Sequence, residues 1–264
     1  MLFRSSADPD RLELAIPSNF REWVIIDEIQ KIPELLNTVH RLIESRGIKF
    51  ILTGSSARSL RKKGTNLLGG RAAPFYMHPL VAQELGNDFD IHKALRYGLL
   101  PSVTTYQDPE QYLKGYVQTY VQEEVLQDGL TRNIGAFNRF LEAASFSQGS
   151  VVNASEIARE LSLSRYVVTE YFNILEDLLL ATRLSAFTAR AKRKVIAHQK
   201  FYFFDAGVFN HVRPRNYIDS REEIEGATLE TLFLQSLRAI NDYNGLGYTI
   251  YFWQTTTEIG RAHV

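Results

Sequence analysis

Residues 24–28 read Val-Ile-Ile-Asp-Glu, three β-branched apolar residues in succession followed by two carboxylates. So continuous an apolar run suits a strand of a parallel sheet, buried on both faces by helices. Acids are excluded from the interior of such a strand and tolerated at its C-terminal end. In open α/β sheets, ligands sit in the crevice beyond that end. The feature therefore predicts an α/β unit with Asp27 and Glu28 at a crevice.

The next residues repeat the pattern. Pro33 suits the first turn of a helix, where its missing N–H costs nothing. Leu35, Leu36, Val39, Leu42 and Ile43 then keep a helical period, and Gly47 ends it. A second apolar strand, Ile48 to Thr53, delivers Gly54, Ser55 and Ser56 to the same edge, completing one right-handed crossover unit. Phosphoryl transfer needs an acid to hold a magnesium ion, usually through its waters, and a group to orient the attacking water. Asp27 fits the first role and Glu28 the second. Hydroxyls at 55 and 56 can hold that water or a terminal phosphate oxygen. Taken singly, the acid pair also reads as a loop opening after a strand, and Gly54-Ser55-Ser56 as an ordinary turn. The usual phosphate cradle, G-x-x-x-x-G-K-[ST], does not occur in the sequence.

Asp-Glu-Ile-Gln-Lys-Ile-Pro at 27–33, Phe-Ile-Leu-Thr-Gly-Ser-Ser at 50–56, Leu68-Gly69-Gly70-Arg71 and Met77-His78-Pro79-Leu80-Val81-Ala82-Gln83-Glu84-Leu85 occur in that order. The ordered set resembles the bacterial and archaeal AAA-type ATPases with a C-terminal domain of unknown function called DUF4143, along nearly the whole chain. The resemblance implies ATP and Mg2+ as cofactors. It makes Asp27 and Glu28 the Walker B pair, with Asp27 on the metal and Glu28 catalytic, and sets Ser55 where the family's sensor polar residue lies. Arg71 matches the arginine of an L-x-G-R motif that touches phosphate across a site or subunit interface. A planar, permanently charged guanidinium suits that task, and a surface ion pair is the alternative.

The sequence departs from this family where members begin, with a strand and a Gly-rich Lys-Ser/Thr loop. That strand would lie between the one ending near Thr53 and one at 74–78, so its loss opens two edges and invites self-association. These 264 residues are therefore expected not to hydrolyse ATP, the activity belonging to an intact parent. The last seven residues, Glu258 to Val264, read like a translated sequencing adapter, which points to a metagenomic fragment with an artefactual tail.

Lys plus Arg equals Asp plus Glu, 30 each, so no global field draws the molecule to nucleic acid or membrane. With 0 Cys there is no cysteine-ligated zinc, and the 6 His show no metal-ligand spacing. No apolar stretch approaches the ~20 residues that span a bilayer, and a cytoplasmic protein without a membrane partner is expected.

Asp108-Pro109-Glu110 starts a helix carrying Tyr112, Leu113, Tyr116, Val117, Tyr120, Val121 and Val125 on one face. In the family such helices form a lid over the nucleotide. Asn153 and Glu156 open a short helix, Ser162-Leu163-Ser164 is a turn, and Ser164 caps a second helix bearing Val167, Val168, Tyr171, Phe172 and Leu175. Strand-like Leu178 to Phe187 and the basic residues Arg190, Lys192, Arg193 and Lys194 follow, which together read as a winged helix-turn-helix. As a DNA reader it would present Arg165, Thr169 and Asn173 to the major groove and the basic wing to phosphates. Glu170 and Glu176 speak against DNA, and such modules also bind proteins or act as lids.

Lys200 to Asp205 predicts a strand ending in an acid, Gly226 to Ile240 a helix with Glu230, and Tyr248 to Trp253 a strand. This resembles the start of the family's restriction-endonuclease-like terminal domain, without the strand that would complete a nuclease site with Asp205 and Glu230. The expected architecture is an incomplete P-loop NTPase parallel sheet at 1–86, a helical lid and winged helix at 87–190, and a partial α+β nuclease-like DUF4143 domain at 191–257.

Overall fold

A computed structural model describes residues 11–54, 70–120, 125, 133–187, 199–214 and 221–253. Ser55, Leu68 and Gly69, Arg190, Lys192, Arg193, Lys194 and the 258–264 tail lie outside the described residues. The chain divides into two compact units at Pro74 and Phe75, with Asp177–Leu179 counted with the first.

The first unit is the crossover that the sequence predicts. α1 (Arg11–Ala15) precedes β1 (Trp23–Ile26), α2 (Leu35–Arg46) and β2 (Lys49–Leu52). The strands pair in parallel, Trp23 opposite Lys49 and Ile26 opposite Leu52. A helix bridges them because parallel neighbours need a long crossover. Leu35, Leu36, Val39 and Leu42 recur at helical spacing and are buried with Leu12, Ile16, Ile29 and Ile48, against which Val24, Ile26, Phe50 and Leu52 pack. Gly47 ends α2 at φ 63°, donating its N–H to Ile43 O at 3.0 Å, a left-handed stop that glycine adopts without strain.

One expectation fails here. β1 and β2 are not buried on both faces: along each strand exposed and half-buried residues alternate, and Trp23, Ile25 and Ile51 face outward. Within the described part of this unit the buried cluster takes only the Val24, Ile26, Phe50 and Leu52 face, so the β-branched run keeps a strand's period of two.

The second unit begins with extended chain. No strand forms at 74–78, where Phe75 and Met77 are exposed and no described neighbour supplies a ladder partner. Helices α3 (Ala82–Leu85), α4 (Ile91–Tyr97), α5 (Pro101–Thr105) and α6 (Pro109–Gly115) follow. Asp108 caps α6 by accepting from Gln111 N at 3.0 Å, with Pro109 at the first position. The helix predicted through Val125 passes at Tyr116–Tyr120 into a π-helical turn, which changes the period; Val125 is helical and buried, and 121–124 lie outside the described residues.

α7 (Ile134–Ser145), α8 (Ala154–Glu160) and α9 (Arg165–Asp177) come next, then β3 (Ala181–Ser185) and β4 (Gln199–Phe203), an antiparallel pair with Ala181 opposite Phe203. Asn153 caps α8 by accepting from Glu156 N, and Ser164 Oγ accepts from Val167 N at the start of α9. Residues 148–152 bond to the other edge of β4, Gly149 N to Phe201 O at 2.8 Å. Phe137, Phe140, Tyr171, Phe172, Phe201 and Phe203 form a continuous chain of ring contacts, most of them edge-on or tilted, with centroids 4.8–5.8 Å apart. Helices and hairpin thus share one core.

α10 (Ala206–Val212) and α11 (Arg221–Tyr243) close the unit. α11 is longer than the predicted 226–240, and Leu229, Phe233, Leu237 and Ile240 lie exposed along it. The strand expected at 248–253 is reduced to one bridge, Phe252 to Ala186, because residues 246–250 form no ladder.

Candidate functional site

The C-terminal edge of β1 and β2 brings Asp27, Glu28, Gln30 and Thr53 together. The parallel register sets Ile26 opposite Leu52, so the first polar residues past the strands, Asp27 and Thr53, are level. Thr53 Oγ1 donates to Asp27 Oδ1, and Glu28 N donates to Thr53 Oγ1 at 3.4 Å. Two backbone bonds clamp the turn: Thr53 N to Ile26 O and Ile29 N to Thr53 O, both 3.0 Å.

Glu28 sits at φ 55°, ψ 46°, a left-handed conformation uncommon for a residue with a β-carbon. The turn swings its carboxylate back, where Oε2 accepts from Gln30 Nε2 at 2.7 Å and lies 3.5 Å from Lys31 Nζ. Gln30 itself is buried, and a β-carbon on Gly54 would come within 2.3 Å of its Oε1, so glycine permits that approach.

Asp27 is solvent-exposed, one oxygen fixed by Thr53 and the other without a bond among the described residues. No group of three or more His, Asp or Glu that could hold a metal occurs among the described residues. A single oriented carboxylate fits magnesium, which keeps most of its waters and takes one or two carboxylates plus substrate phosphates. Sequence reasoning missed Thr53 and Gln30 as members of this site. The signal for Thr53 was present, since it is the residue after β2 that parallel pairing brings beside Asp27.

Arg71 pairs with Glu44 near the end of α2, its Nε donating to Glu44 Oε1, and the guanidinium holds the Glu44 carboxyl below its ordinary range. On α9, Arg165 is exposed, and Thr169 Oγ1 donates to the Arg165 carbonyl at 2.9 Å. Asn173 turns inward: its Oδ1 accepts from Arg183 at 2.7 Å and its Nδ2 donates to Glu170 at 3.0 Å.

Asp205 and Glu230 have separate surroundings. Asp205 is fully buried at the start of α10, accepting from Leu99 N at 2.8 Å, Val208 N at 3.0 Å and the Gly207 amide. Burial pushes its carboxyl up to about 6 against those three donors. Gly98 makes room for it at φ 72°, where a β-carbon would lie 2.0 Å from Asp205 Oδ1. Glu230 accepts from Tyr202 OH at 2.6 Å and lies 3.6 Å from Lys200 Nζ, and burial followed by that carboxylate pushes the Tyr202 phenol well above its ordinary value.

A family model described as an AAA domain matches residues 3–86, and one described as a domain of unknown function (DUF8612) matches residues 88–219. The first supports an AAA-type P-loop domain around the Asp27 edge and runs past the Pro74 boundary of the compact unit. The second spans half of the chain and is a different domain from the expected DUF4143. No curated protein and no solved structure matches. Among the described residues, no helix is long and apolar enough to cross a membrane.

Proposed function

The chain belongs to the family defined by the domain of unknown function DUF8612, and from the AAA domain match ahead of that domain we propose that it is part of an AAA-type ATPase whose metal-binding edge is Asp27 with Thr53. The observation that carries this reading is the Thr53-to-Asp27 hydrogen bond at the C-terminal edge of a parallel strand pair, inside the AAA match. Asp27 would hold Mg2+ through water, and the ion would neutralise charge on the nucleotide's phosphates. Thr53 fixes the carboxylate's orientation. Glu28 is the water-orienting group, and it reaches that role by exchanging its bond from Gln30 for one to the water. Ser55 would act as the sensor, and Arg71, paired with Glu44 here, would reach phosphate across a subunit interface.

A phosphate cradle is not written in these 264 residues, so turnover requires one supplied from outside them, and the chain by itself binds Mg-ATP weakly. The test is titration of the chain with a fluorescent ATP analogue, with and without Mg2+. The expected outcome is weak, Mg2+-dependent binding that Asp27→Asn abolishes. Equal binding by the variant overturns the assignment.

A second reading rests on the order α8, turn, α9, β3, β4, which is that of a winged helix-turn-helix. Arg165 and Thr169 on α9, with Arg190, Lys192, Arg193 and Lys194 between the strands, would meet duplex DNA, and Asn173 would support Arg183 instead of reading bases. Salt-dependent binding of duplex DNA, lost on neutralising 190–194, supports it. Absence of binding at low salt excludes it.

A further inference from the structure

A cavity of about 430 Å³ opens in the second unit between β3, the last turns of α11 and residues 248–250. Arg183 and Arg238 line it, with Asp242, Thr182, Thr249 and Tyr248. Both arginines have donors left over.

Arg183 is the better anchored. Its side chain is 15% exposed, and its Nη2 donates to Asn173 Oδ1 at 2.7 Å and to Glu176, while its Nε is buried with no acceptor among the described residues. Arg238 makes no hydrogen bond and no ion pair among the described residues. Burial lowers its affinity for the proton, and Asp242 and Glu176 act on it only through space, in the opposite sense. Each of those carboxylates already has a donor, Asp242 from His78 Nε2 at 2.7 Å and Glu176 from Arg183.

A buried donor without an acceptor costs about 1–3 kcal/mol, more when it is charged. Arg183 Nε is such a donor but is closed to solvent, whereas Arg238 opens on the cavity with no acceptor among the described residues, which points to an occupant that brings acceptors. A guanidinium fork matches paired oxygens on one centre, as in phosphate or carboxylate. Asp242 lines the cavity with the two arginines, and Glu176, outside the lining, pairs with Arg183, so little net charge is left, geometry must hold the ligand, and moderate affinity follows. Tyr248, 71% exposed, offers a ring face to any organic portion.

We infer that this cavity binds a small molecule carrying a phosphate-class oxyanion, seated on the Arg238 fork beside Arg183. The inference does not depend on the nucleotide reading at Asp27.

The test is calorimetric titration of the 264-residue chain, in EDTA so that no metal-nucleotide site contributes, with inorganic phosphate and separately with phenyl phosphate. Both are expected to bind at millimolar concentrations. Arg238→Gln is expected to weaken each by about tenfold or more, a loss of about 1.4 kcal/mol per tenfold. Arg238→Lys, which keeps the charge without the fork, is expected to fall between, and Arg96→Gln, at a surface ion pair 3.3 Å from Glu110, to bind as the parent does. Tighter binding of phenyl phosphate identifies a ring-bearing ligand, and equal binding a free oxyanion. Unchanged binding by both Arg238 variants, with circular dichroism showing them folded, or no binding by the parent chain, overturns the inference.

Discussion

Thr53 donates its hydroxyl proton to the Asp27 carboxylate across the ends of two parallel strands. The bond fixes the carboxylate's direction and leaves its other oxygen without a bond among the described residues, where the proposed metal-bound water would sit. Thr53→Ala is therefore expected to weaken Mg2+-dependent nucleotide binding several-fold, and Thr53→Ser to preserve it, as read by fluorescence titration. Loss in both variants, or in neither, would mean that the hydroxyl does not position Asp27.

Two helical glycines should respond in opposite directions. A β-carbon on Gly207 in α10 would lie 2.0 Å from the Tyr97 carbonyl oxygen, whereas one on Gly226 in α11 would meet nothing within 4 Å. Gly207→Ala is expected to destabilise the second unit by about 1–3 kcal/mol or more through overpacking. Gly226→Ala is expected to stabilise it by about 0.5–1 kcal/mol through helix propensity. Urea denaturation followed at the far-ultraviolet helix signal checks both.

The buried Asp205 carboxyl gives a pH dependence of definite sign. Its ordinary value is 3.8 and burial raises it to about 6, so the folded state holds the proton more tightly than the unfolded one. The group's stabilising contribution is complete below pH 3.8 and is lost as pH rises through about 6. The loss amounts to about 3 kcal/mol at 1.36 kcal/mol per unit. Asp205→Asn has no such titration. The stability difference between parent and variant should therefore shift toward the variant by that amount across this window, as read by urea midpoints. A flat difference would show that the three N–H donors cancel the desolvation.

The aromatic chain joining α7, α9 and β4 predicts a large response at its centre. Phe172 is 1% exposed and touches both Phe140 and Phe201 edge-on. Phe172→Ala is expected to cost about 3–5 kcal/mol, lowering the thermal midpoint of the whole second unit cooperatively. A change confined to α9 would argue against a shared core.

Local signals were legible where residues near in sequence decide the outcome. The Asp108, Asn153 and Ser164 caps, the Gly47 stop and the strand-helix-strand crossover all follow from short-range chemistry. Misreadings arose where distant partners decide. Residues 74–78 and 248–250 have strand composition, yet a strand exists only against a neighbour, and the described residues supply none. The Val24-Ile25-Ile26 run was read as buried on both faces, but its core cluster covers one. Asn173 sits on the expected recognition helix, and its commitment to Arg183 depends on β3 folding back, which helical spacing cannot reveal. At the site, Asp27 and Glu28 were evident from the strand's end. Thr53 required the register, and Gln30 required the left-handed turn at Glu28.

The most direct test of the account is where a metal-nucleotide complex settles on the chain. In amide NMR spectra, Mn2+ titrated in the presence of ATP should first broaden the signals of Ile26, Asp27, Glu28 and Thr53, and Asp27→Asn should remove that broadening. Broadening that begins elsewhere, or that persists unchanged in the variant, would contradict the assignment of Asp27 as the metal-holding residue of an AAA-type site.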